Sequence, residues 1–202
     1  MRLLIVLVII FNTLLASDMV IKGDVEINGK KATANMKVKL GDFIQTGKKS
    51  KVMFTIGKDA FLVKSNSKFR IKQEKKGIRT LNVITGGVLG VFKKGSQYDI
   101  KSNNMVAGIR GTGIYIESVD KKSYFCTCYG KTHVYTNKEQ VTLTATHHNM
   151  VWIKPDGSIK ATKEMRNHTD DELREIEKMV GRIPQFDQEI DLNSVLSGNG
   201  GY

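Results

Sequence analysis

Beyond its first eleven residues, the chain has no apolar run approaching the roughly 20 residues that a membrane helix needs. No later segment is therefore expected to cross a bilayer. Cysteine is almost absent. Cys126 and Cys128 are the only two, set two apart. That spacing matches no zinc-finger or haem-attachment pattern, and it lacks the two intervening residues of the thiol-exchange motif. Proline is scarce too, with two residues against nineteen glycines, a balance that suits many short strands joined by glycine turns. There is no Ser-nucleophile elbow, no phosphate-cradling loop and no carboxylate pair on a rigid element. A Cys–His hydrolase would need Cys126 at an activated position beside a base, and Cys126 falls mid-strand. The expectation is a protein that is not an enzyme.

At the N-terminus, Met1-Arg2 precedes a wholly apolar Leu3–Phe11, and Leu14-Leu15-Ala16-Ser17 ends it with small residues. A basic start, a short apolar core and a small-residue end describe a secretory signal peptide over residues 1–17. No Cys follows the core to carry a lipid anchor. The expected location is the periplasm or the extracellular space. About 185 residues would remain, and 40% of the chain is hydrophobic, enough for one domain with a small appendage.

Acidic residues are scarce in the first half. Residues 17–102 carry 19 Lys plus Arg against 7 Asp plus Glu, or +12, whereas residues 103–202 carry 12 against 13, or −1. Lys48, Lys49, Lys51, Lys75 and Lys76 are the clearest candidates for a surface that meets an anionic partner. The same lysines also serve as a solvated surface that blunts strand edges. The run lacks interleaved aromatics for base stacking, so no nucleic acid is expected as a partner. An envelope protein or an anionic glycan fits better.

Short alternating runs dominate the middle of the chain. Val52, Phe54 and Ile56 alternate with Met53 and Thr55; Phe61–Val63, Phe69–Ile71, Ile78–Val83, Val88–Phe92 and Tyr98–Ile100 follow. Turn pairs such as Gly86-Gly87 lie between them. Residues 124–136 and 141–153 add two or three more strands. Strands at this spacing predict an all-β fold. Thr169 and Glu172 form a capping box, and Leu173, Ile176, Met179 and Val180 then fall on one helical face until Gly181 and Pro184. The reading is a β-domain over residues 18–160, a C-terminal helix within 161–184, and a loose acidic, glycine-rich tail over 185–202.

The sharpest chemistry is Phe125-Cys126-Thr127-Cys128-Tyr129, followed by His147-His148-Asn149-Met150. In a strand the two thiols share a face, and so do His148 and Met150, with His147 opposite. Thiolate, imidazole and thioether suit copper(I), or zinc without the methionine. If the two strands are neighbours, Cys126, Cys128, His148 or His147, and Met150 could surround one metal. The alternatives are small apolar cysteines on a buried face, or a strained local disulfide, with the histidines forming a polar turn. No other cofactor is indicated.

Two further segments belong together. One contains Gly41-Asp42, Ile44, Thr46-Gly47 and Ser50. The other, about sixty residues on, is Ala107-Gly108-Ile109-Arg110-Gly111-Thr112, followed by the apolar strand Ile114-Tyr115-Ile116. In order and spacing they resemble the FecR domain family, named for the ferric-citrate regulator. Leu81–Phe92 looks like that family's central strand pair, and the resemblance covers about residues 20–136. Asn103-Asn104 stands where the family usually has a proline. The resemblance implies a β-roll or short β-solenoid, or a sandwich of many short strands, and a binding or sensing role. Well-known members relay a signal to a sigma factor through a segment ahead of their membrane helix. The apolar run here begins at Leu3, so a direct anti-sigma role is not expected. Arg110 is read as an internal brace, Gly111 as its hinge, and Asp42 and Asp59 as cappers of their own turns.

Overall fold

The computed structural model describes residues 19–73 and 77–188. The expected signal peptide, Lys75, Lys76 and residues 189–202 lie outside the described residues. Among those described, fifteen strands precede one helix: β1 Met19–Lys22, β2 Val25–Ile27, β3 Lys30–Lys31, β4 Phe43–Thr46, β5 Lys51–Ile56, β6 Asp59–Val63, β7 Lys68–Gln73, β8 Arg79–Val91, β9 Gln97–Ser102, β10 Met105–Arg110, β11 Gly113–Val119, β12 Lys122–Tyr135, β13 Gln140–Ala145, β14 Asn149–Ile153, β15 Ile159–Thr162 and α1 Asp170–Met179. The expected all-β fold with a C-terminal helix holds. None of the described helices is long and apolar enough to cross a membrane.

The strands form two sheets that share two long members. One sheet runs β1-β5-β6-β8-β11-β12-β14-β15. The other runs β3-β2-β4-β7-β8-β9-β10-β12-β13. Of the described pairings only β8 with β9 is parallel, and β8, β9, β10, β12 and β11 pair in a closed ring, so the core is a closed barrel, rather than stacked parallel coils, from which the remaining strands extend. β8 and β12 each change sheets midway. They bend at Gly86 (φ 75°) and Gly130 (φ 89°), where a side chain would be strained. A Cβ on Gly86 would lie 2.6 Å from the Ser67 Cα, and one on Gly130 would lie 2.8 Å from the Thr112 Cγ2.

The main core lies between the sheets and includes Phe54, Phe61, Phe69, Leu81, Ile100, Ile114, Ile116 and Phe125. A second core covers the outer face of the first sheet. Leu62, Leu89, Val91, Tyr115, Tyr124, Cys126 and Cys128 lie there under Leu173 and Ile176 of α1. Strands buried on both faces read as continuous apolar runs rather than alternating ones. That explains Ala60–Val63 and Ile114–Ile116, in which every residue is buried.

The capping box is present as expected. Thr169 accepts from the Glu172 amide and the Glu172 side chain accepts from the Thr169 amide. The helix is also fastened by charge. Glu172 pairs with Lys64, Glu175 with Lys51 at 3.6 Å, and Glu177 with Arg182 at 2.6 Å. The chain then departs from the expected loose tail. Residues 185–188 wind as a helical turn whose first carbonyl acceptor is Pro184, and Phe186 is buried. Proline at the start of a helical turn supplies a fixed φ and lacks only an N–H that would go unpaired there.

Candidate metal centre

β12 places Cys126 and Cys128 on the outer face of the first sheet, both fully buried and both free thiols. Their sulfurs are 3.8 Å apart, with Cys128 donating to Cys126. His148 closes the turn between β13 and β14 with φ 51°, and its amide donates to the Cys128 carbonyl at 2.9 Å. That bond turns the ring towards the sheet, so the His148 Nδ1 sits 3.3 Å from the Cys126 sulfur. The His148 Nε2 is 2.8 Å from Asp170, the first residue of α1.

A fourth donor comes from a residue that the sequence reading missed. His168 immediately precedes the helix cap, is 3% exposed and stacks on Tyr115 with ring centroids 4.5 Å apart. Its Nδ1 donates to the Arg166 carbonyl at 2.7 Å, and its buried Nε2 has no hydrogen-bond partner. One donor atom from each of Cys126, Cys128, His148 and His168 lies within 4.8 Å of every other. The available signal was local. The position before a capping box usually holds an apolar residue that packs on the fourth helical residue, here Leu173, and this chain has a histidine there.

The two other expected ligands differ in placement. His147 and His148 belong to a turn rather than an extended strand, so the alternating-face reading fails for both. The His147 Nε2 reaches Asp170 at 3.0 Å and its ring packs on Phe186, so it faces outward. Met150 pairs with Cys126 across β12 and β14 and packs against the helix-side core that holds both cysteines, as the sequence reading expected of neighbouring strands.

The electrostatics separate the two thiols. Burial pushes the Cys126 thiol up, but hydrogen bonds with Cys128 and His148, together with the nearby His168 imidazole, outweigh it and hold Cys126 well below the ordinary thiol range. Burial and the neighbouring Cys126 push Cys128 well above that range. Burial disfavours a charged His148, yet Cys126 and Asp170 reverse this and raise its pKa. A thiolate beside an imidazole is a nucleophile or a metal ligand. Here both cysteines are fully buried, which favours the ligand role.

The FecR-like motif residues brace turns. Asp42 accepts from the Lys39 amide at 2.7 Å and from the Asn28 amide group at 2.8 Å. Buried Thr46 accepts from the Ser67 amide at 2.9 Å, and Gly47 donates to the Asp24 carbonyl at the same distance. Thr112 is buried, its carbonyl taking the Phe92 amide at 3.0 Å. Arg110 is not the brace expected. It is exposed at the end of β10 and has no side-chain partner among the described residues. Asp59 is not a local capper either; it is a buried hub joining β6, β8 and β9. In the lysine set, Lys48 and Lys49 are exposed, whereas Lys51 is partly engaged by Glu175 of α1.

No family model matches the chain, and no curated protein matches its sequence. Its fold is similar to two crystal structures of a protein from Parabacteroides distasonis inferred to be an anti-sigma factor. Each has a TM-score of 0.53 at 13% identity, over 60% of this chain and 59% of theirs. The match thus spans little more than half the length of those chains, and at that identity the likeness is one of fold.

Proposed function

We propose that this chain is an exported, non-enzymatic FecR-like module of the cell envelope that recognises a protein or an anionic glycan in a sensing or regulatory role. The observation that carries the reading is the two-sheet fold, similar to that of the inferred anti-sigma factor. The motif residues Gly41, Asp42, Thr46, Gly47, Gly111 and Thr112 support it, since each sits at or beside a turn that holds the sheets in register. The exposed Lys48 and Lys49 on the turn before β5 favour an anionic partner, because association of this kind gains from long-range attraction.

Cell fractionation of the full chain and binding to an immobilised sulfated glycan, the probe for an anionic partner, test the reading. Recovery in the envelope fraction is expected, with salt-sensitive retention that Lys48→Glu/Lys49→Glu weakens several-fold. Recovery in the cytosol would remove the export claim. Retention that ignores both salt and the charge reversals would remove the basic face.

A second reading is favoured by the convergence of two thiols and two imidazoles at one buried point. It makes the chain a metal-binding or metal-sensing protein of the envelope, with zinc or copper as the ion.

A further inference from the structure

We propose that Cys126, Cys128, His148 and His168 form a tetrahedral zinc(II) site that clamps the start of α1 onto the outer face of the first sheet. This rests on the metal-binding reading just given and deepens it. It names the ion, replaces His147 and Met150 by His168, and gives the site a mechanical role.

The spacing fits the ion. Zinc–sulfur bonds of about 2.3 Å at a tetrahedral angle set two sulfurs about 3.8 Å apart, and a zinc–nitrogen bond of about 2.0 Å sets sulfur and nitrogen about 3.5 Å apart. The cysteine sulfurs are 3.8 Å apart, and the Cys126 sulfur and His148 Nδ1 are 3.3 Å apart. A Cys-x-Cys pair on one strand presents both sulfurs to the same side, which supplies two adjacent corners of the tetrahedron.

The outer shell makes the stronger argument. A metal-bound histidine usually donates its other ring N–H to a carboxylate or a backbone carbonyl, which fixes the ring and the free nitrogen. Both histidines have such a partner. Asp170 stands at the His148 Nε2, leaving Nδ1 for the ion. The Arg166 carbonyl accepts the His168 Nδ1–H, leaving Nε2. That nitrogen is one of the few buried polar side-chain atoms without a partner among the described residues, and it is the one aimed at the cysteine pair; leaving it unpaired costs about 1–3 kcal/mol. Two thiolates and two imidazoles in a closed, four-cornered set are zinc's preferred ligands. On binding, the thiol protons and any proton shared by Cys126 and His148 leave to solvent.

The four ligands come from three places: β12, the β13–β14 turn and the residue before the helix cap. An ion there ties β12 and the turn to α1. A surface cleft of about 690 Å³ beside Glu117, Asn167 and Glu172 comes as near as His168, which forms part of its lining.

Cobalt(II) and zinc titrations of the full chain under reductant test this, with X-ray absorption on the zinc form. One ion per chain is expected. The cobalt form should show thiolate charge-transfer bands with tetrahedral d–d bands, and the zinc form two sulfur and two nitrogen neighbours. His168→Ala and Cys126→Ser should each weaken binding at least tenfold, and Asp170→Asn about tenfold. His147→Ala and Met150→Leu should stay within about twofold. Exchange of the α1 backbone amides should slow when zinc is added. Tight metal with His168→Ala unchanged, or a shell of nitrogen and oxygen from His147, His148 and Asp170, overturns the clamp but leaves the metal-binding reading. Copper(I) binding in preference to zinc overturns the ion. No metal at all overturns both readings. If His168→Ala fails to fold, the neighbour count in the unaltered chain still decides.

Discussion

The Asp59 carboxylate accepts a 2.9 Å hydrogen bond from the Tyr98 hydroxyl where β6, β8 and β9 meet. It also takes the Arg79 guanidinium at 3.0 Å, the Lys93 amide at 2.8 Å and the Ser96 hydroxyl at 2.9 Å, while only 2% exposed. Burial, reinforced by the Asp59 charge, keeps the Tyr98 phenol protonated far above its ordinary range, so it remains a donor. Asp59→Ala strands all four donors at once. The expected cost is about 3–5 kcal/mol in urea unfolding, the range for breaking a buried charge pair. A loss below about 1 kcal/mol would show that water replaces the carboxylate and that the hub contributes little.

Gly111 and Arg110 are adjacent but should behave in opposite ways. Gly111 has φ 70°, and a Cβ there would lie 2.5 Å from the Lys94 Cα, a backbone atom that cannot swing aside. Gly111→Ala therefore combines backbone strain with a steric clash. It should lower stability by more than the about 1–3 kcal/mol of the strained conformation alone. Arg110 points into solvent, and Arg110→Ala should fall within about 0.5 kcal/mol of the parent chain. Equal losses from the two substitutions in thermal melts would restore Arg110 as a brace.

The short strands and the capping box were legible because each is written in local periodicity or spacing. The sheet exchange was not. Ile78–Val83 and Val88–Phe92 read as two strands around a Gly-Gly turn, yet β8 is a single strand of 13 residues, Arg79–Val91, that bends at Gly86. A bend between sheets and a hairpin turn use the same residue type, and only the distant partners β6, β7, β9 and β11 distinguish them. Asp59 and His168 were missed for a related reason. Their roles depend on donors 20 to 39 residues away for Asp59 and on the packing of α1 for His168. The cysteine pair was legible because period two on a strand fixes which side chains share a face.

Leu173 is fully buried over the cysteine face of the first sheet and Ile176 lies beside it. Leu173→Ala should cost about 2–5 kcal/mol, the usual range for a buried leucine whose cavity cannot fully close. It should also loosen the cover over Cys126 and Cys128. In metal-free protein under native conditions, a bulky thiol reagent should therefore react faster with the variant than with the parent chain. Equal rates would mean that the sulfurs are shielded by Tyr115, Tyr124 and Tyr129 rather than by the helix.

Arg174 grips Asp187 with two hydrogen bonds, Nε at 2.7 Å and the second terminal nitrogen at 2.8 Å, and so ties α1 to the helical turn that follows it. Arg174 holds the Asp187 carboxyl below its ordinary range against a small opposing effect of burial; Asp170 nearby works against the shift and His147 with it. The folded pKa therefore lies below the unfolded value of about 3.9. The contribution of the pair is complete above that value and disappears as pH falls through the folded pKa. The pair is partly solvent-exposed, so the contribution is small and screened by salt. A carboxyl-carbon NMR titration should give Asp187 a midpoint below about 3.9, and Arg174→Gln should move it upward. The stability difference between Arg174→Gln and the parent should shrink as pH falls from about 4 downward, and shrink further in high salt. A difference that stays constant across that window would mean Arg174 acts by covering Phe186, which its guanidinium overlies at 5.5 Å, rather than through its charge.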